Sequence, residues 1–79
     1  MDKLNTLFNK LSEYKENNFT KFNVYLDRWS VSLVDSIGLS ELLIEVNQFG
    51  KLKFTEWAME REIELVQNMV NEIWCKNEE

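Results

Sequence analysis

The stretch SELLIEVNQFGKLKF, Ser40 to Phe54, reads either as helix or as strand, and the choice decides the fold. Leu39, Leu42, Leu43 and Val46 fit the three-and-four spacing of one helix face, and short apolar runs are ambiguous in this way. A helix, however, leaves Ile44 off the stripe. As strands the residues cohere. Gln48-Phe49-Gly50 makes a three-residue hairpin loop, with Gly50 in the left-handed conformation that glycine alone adopts without steric penalty. That loop sets Val46 opposite Leu52 and Ile44 opposite Phe54 on an inner face, while Glu45 meets Lys53 on the outer face as an opposite-charge pair. Both faces agree on one register, so the stretch is assigned as a β-hairpin.

Upstream, the period is again two. Phe22, Val24 and Leu26 alternate with Lys21, Asn23 and Tyr25; Trp29, Val31 and Leu33 then alternate with Ser30 and Ser32. A two-residue turn at Asp27-Arg28 pairs Leu26 with Trp29, Val24 with Val31 and Phe22 with Leu33, with all six on one face. Asp-Arg lacks the glycine that a tight primed turn prefers, which leaves a four-residue type I loop as the alternative. Ser36-Ile37-Gly38 breaks the chain between the two hairpins.

Helical periods bound these strands at both ends. Leu4, Leu7, Phe8, Leu11 and Tyr14 line one face of a helix from about Lys3 to Glu16, with Asp2 as N-cap and Asn17-Asn18 as the stop. Thr55 caps a second helix running to about Cys75, whose stripe is Met59, Ile63, Val66, Val70 and Ile73. One apolar sheet face and two amphipathic helices assemble most economically as an α+β fold: a four-stranded antiparallel meander with the N- and C-terminal helices packed on one face, αββββα, in a single domain over residues 1–79. The three tryptophans, Trp29, Trp57 and Trp74, are assigned to the core or its margin, although Trp57 lies off the main stripe of the second helix.

At 79 residues the chain buries only about 60% of the surface it exposes when unfolded, so the core is small. Fourteen acidic residues against nine basic ones give a net charge of −5, which disfavours direct binding to nucleic acid, whose phosphates need Lys and Arg. Met1 to Leu39 is neutral, five acids against five bases; the whole excess lies in Ser40 to Glu79, nine acids against four bases. A lone Cys75 excludes an internal disulfide and fits a reducing compartment, the cytoplasm. No apolar run approaches the roughly 20 residues of a membrane span, and MDKLNTLFNK is amphipathic where a signal peptide is continuously apolar. No membrane association is expected.

The chemistry-bearing constellations are missing from the sequence. Without His, and with one Cys, neither a zinc cluster nor a Cys–His nucleophile can be assembled, and Gly38 and Gly50 stand too far apart for a phosphate loop. No cofactor, metal or catalytic residue is assigned, and the chain is read as a non-enzyme. What remains is a charged ridge. On one continuous helix Glu56, Glu60, Glu64 and Glu72 lie along an i to i+4 row that faces away from Ile63 and Val66. The candidate partner-binding residues are Glu56, Glu60 and Glu64 of this ridge, Phe49 at the hairpin tip, and Tyr25 and Glu45 on the outer sheet face, where Leu43 is a further exposed apolar group.

In size, acidity, AT-rich residue usage and want of chemistry, the chain is similar in kind to phage-encoded inhibitors of host defences, including anti-CRISPR proteins. The resemblance is one of general type and rests on no motif. It implies a small inhibitor or modulator, working in the host cytoplasm, that occupies a basic or nucleic-acid-binding surface of a host protein complex. An antitoxin or immunity protein would share this acidic logic. A structural homo-oligomer, a homodimer among them, would instead use the apolar series of the second helix as its seam.

Overall fold

The computed structural model describes residues 2–18, 21–36 and 40–75. The first helix, α1, spans Lys3–Asn18. Asp2 caps it: its Oδ1 accepts the Leu4 N–H at 3.0 Å and its carbonyl accepts the Thr6 N–H. Leu4, Leu7 and Leu11 are buried on the face turned to the sheet, with Phe8 and Tyr14 packed at the margin, as the three-and-four spacing predicts.

Four strands follow, β1 (Phe22–Leu26), β2 (Ser30–Asp35), β3 (Leu42–Asn47) and β4 (Leu52–Phe54), paired antiparallel in sequence order. A helix α2 (Glu60–Val70) and a π-helical segment, Asn71–Cys75, complete the αββββα arrangement. The predicted breaker residues Ile37 and Gly38 lie outside the described residues.

The β3–β4 hairpin has the predicted register: Val46 pairs with Leu52, Glu45 with Lys53 and Ile44 with Phe54. Gly50 has φ +80°. Asn47 organises the loop, its Oδ1 accepting the N–H groups of Phe49 and Lys51 at 2.9 and 3.0 Å. One expectation fails here, since Phe54 sits at the short edge strand beyond the helical cover and is exposed.

The β1–β2 register differs from the predicted one by two residues: Val24 pairs with Leu33, Leu26 with Val31 and Phe22 with Asp35. The connection is closed by Asp27 N–H donating to the Ser30 carbonyl at 2.8 Å, while the Asp27 carboxylate accepts the Arg28 N–H at 2.7 Å. Trp29 is therefore a loop residue, 59% exposed, and not a core residue. Leu43 is also misplaced by strict alternation. Between β2 and β3 the partners step from Leu33↔Ile44 to Val34↔Leu42, so Leu43 is an extra, bulged residue, and it and Ile44 are buried in succession. Leu43 is not part of the outer surface.

Both helices serve one core. Val66, Val70 and Ile73 join Leu7, Leu11, Phe22, Val31, Leu33, Ile44 and Val46 in a single cluster. Full burial of each such side chain contributes about 1.5–3 kcal/mol relative to leaving it in water, which decides the face that α2 turns inward. At the end of the π-helical segment Trp74 lies against Gly50, tying the C-terminal helix to the β3–β4 loop.

Candidate interaction surface

The sequence makes Thr55 the cap of the second helix, but the observed N-cap is Met59, four residues later, and α2 begins at Glu60. Thr55 N–H donates to the Leu43 carbonyl at 3.0 Å and its hydroxyl to the Leu42 carbonyl at 2.6 Å, so Thr55 extends the sheet ladder. Its own carbonyl then accepts the Ala58 N–H at 3.1 Å, closing a turn. Met59 is the N-cap, and its N–H is taken by Glu62 Oε1 at 3.0 Å, the return half of a capping box.

Glu56 therefore sits in this turn and off the ridge. Glu72, on the π-helical segment, is paired with Lys10 of α1 at 2.8 Å. The ridge reduces to Glu60 and Glu64, one turn apart on α2, with Glu56 just ahead of them; all three are exposed. Repulsion between Glu60 and Glu64 is worth about 0.2–0.5 kcal/mol. Glu60 and Glu62 in the first turn gain about 0.3–1 kcal/mol each from the helix dipole, which offsets it.

The remaining candidates lie elsewhere. Tyr25, Ser32, Glu45 and Lys53 pair in one row across all four strands, on the sheet face that bears no helix. Tyr25 is exposed, and Glu45, opposite Lys53, is half-buried. Phe49 is 78% exposed at one end of the β3–β4 hairpin, and Glu56 follows its other end. The six predicted contact residues thus divide among the open sheet face, the hairpin tip, the turn before α2 and α2 itself.

Beside Phe49 a cleft of about 470 Å³ is lined by Asp2, Lys3, Leu4, Gln48, Phe49 and Trp74. Its charged groups are engaged structurally: Asp2 caps α1, and Lys3 Nζ stands 5.9 Å from the centre of the Trp74 ring, a cation–π contact. Among the described residues no three of His, Cys, Asp and Glu gather as a metal site, and no helix is long and apolar enough to cross a membrane.

Periodicity missed the end of β4 and the turn that leads to α2, where Phe54, Trp57 and Met59 are all more than half exposed. The signal that could have found it was the position of Trp57 off the apolar stripe. Compared with protein-family models, curated proteins and solved structures, the chain finds no significant match in any of the three.

Proposed function

We propose that the chain is a non-enzymatic acidic binding protein that inhibits or modulates a protein partner by occupying a basic surface of it. By the general resemblance noted above, the host process is a defence system and the inhibitor is of the anti-CRISPR kind. The observation that carries the reading is a division of labour within 11 residues: Glu56, Glu60 and Glu64 are exposed, while Val66 in the same stretch is fully buried. Carboxylates held outward on α2 and on the turn that leads into it, beside an apolar face that is already covered, steer a basic surface and suppress acidic competitors. The apolar stripe that a homo-oligomer would use is taken up by the chain's own core, with Val66, Val70 and Ile73 buried.

The test is affinity capture from the native cell followed by mass spectrometry, comparing the wild type with Glu56→Lys/Glu60→Lys/Glu64→Lys. The expected result is a protein with a basic face that the triple variant fails to retain. Equal retention by both would overturn the reading.

A further inference from the structure

We infer that Phe54, Trp57 and Met59 anchor a docking site for a partner segment in which apolar side chains are flanked by Lys or Arg; this rests on the basic-partner reading above and gives it a location. The three side chains fall within six residues and are 59%, 57% and 52% exposed. Single exposed apolar groups are ordinary, but a Phe at the end of β4 followed within five residues by a Trp and a Met, all exposed, has the residue chemistry of an interface centre.

The backbone beneath them is held in place. Thr55 is bonded to the carbonyls of Leu42 and Leu43, the Trp57 N–H donates to Thr55 Oγ1 at 3.3 Å, the Ala58 N–H to the Thr55 carbonyl, and the Met59 N–H to Glu62. A segment fixed at four successive points loses little freedom when a partner arrives, which favours binding.

Charge selects the occupant. From Phe54 to Glu64 the carboxylates of Glu56, Glu60, Glu62 and Glu64 stand against Arg61 alone, and Lys53, opposite Glu45 in the ladder, belongs to the other sheet face. A second copy seated here would bring Glu56 and Glu60 against the same carboxylates, and nucleic acid or an anionic membrane would meet the same repulsion. A basic segment gains attraction at its rim while its apolar residues cover the aromatic centre.

The probe is a synthetic helical peptide with a Leu stripe bordered by Lys and Arg, titrated into the isotope-labelled full chain and followed by heteronuclear correlation spectra. Two control peptides replace Leu by Ser, or Lys and Arg by Glu. Expected are shifts confined to residues 54–64 and the Trp57 indole, with the Trp29 indole unmoved. Trp57→Ala and Phe54→Ser should weaken binding about tenfold, the scale of a central anchor, with core signals of Val31 and Val66 unchanged.

If these variants bind as the wild type does while Glu60→Lys/Glu64→Lys abolishes binding, the anchor is wrong and the basic-partner reading stands. If the charge reversal is also without effect, both fall. Absence of any shift at millimolar peptide overturns the anchor, as does concentration-dependent dimerisation lost in Trp57→Ala, which would make a second copy the occupant.

Discussion

Gly50 lies so close to the indole of Trp74 that a β-carbon on it would stand 2.7 Å from the ring's Cγ. Two demands meet at this position, since Gly50 also has φ +80°, which other residues adopt with strain. Gly50→Ala should therefore destabilise the chain by about 2–4 kcal/mol in denaturant unfolding, from backbone strain and overpacking together. In a Trp74→Ala background the overpacking is gone, and the same change should cost only about 1–2 kcal/mol. Equal costs in both backgrounds would show that the two residues do not meet.

The bulge at Leu43 makes a prediction that alternation does not. Leu43→Ala should lose about 2–5 kcal/mol, as a buried truncation does. Tyr25→Ala, on the open face, should stay within about 0.5 kcal/mol. A neutral Leu43→Ala, measured by thermal or urea unfolding, would return Leu43 to the surface.

Variants retaining one tryptophan each report on the exposed aromatics. Trp29 alone or Trp57 alone should be quenched strongly by acrylamide and emit at long wavelength, whereas Trp74 alone, half-buried against Gly50, should be protected. Protection of Trp57 in the dilute chain would mean that the aromatic centre is already covered.

Ser40 enters β3 with φ +57°. Ser40→Gly should raise stability by about 0.5 kcal/mol by relieving that conformation, net of the greater freedom of glycine when unfolded. Ser40→Val, β-branched, should lower it by about 1–2 kcal/mol. Opposite signs for the two, read from urea midpoints, are the check.

The Lys10–Glu72 pair is exposed on both sides, 42% and 53%. Removing either partner should change stability by less than about 1 kcal/mol, and raising the salt should shrink the effect.

Why some of this was legible in the sequence follows from what each residue type constrains. The β3–β4 hairpin was readable because Gly50 pins the loop and the Glu45–Lys53 pair checks the register from the opposite face. β1 and β2 have no such pin. A slip of two residues keeps every side chain on its face, so alternation in Phe22–Leu26 and Ser30–Asp35 cannot detect it, and Trp29 moved from strand to loop unseen. A one-residue insertion does change faces, and the Leu43 bulge leaves no mark in composition. Thr55 looked like a helix cap because caps and ladder extensions use the same hydroxyl; the carbonyls of Leu42 and Leu43 claimed it, which carried Glu56 off the helix. The candidate site was legible as a set of exposed residues and not as one surface, because Tyr25 and Glu45 share a sheet face that α2 does not cover.

The most direct measurement of the account is the affinity of the captured partner for the wild type and for Glu56→Lys/Glu60→Lys/Glu64→Lys as ionic strength rises. Outward carboxylates that meet a basic surface predict steep weakening with salt for the wild type, and for the triple variant both weak binding and a flat salt response. Equal affinities with parallel salt curves would contradict it.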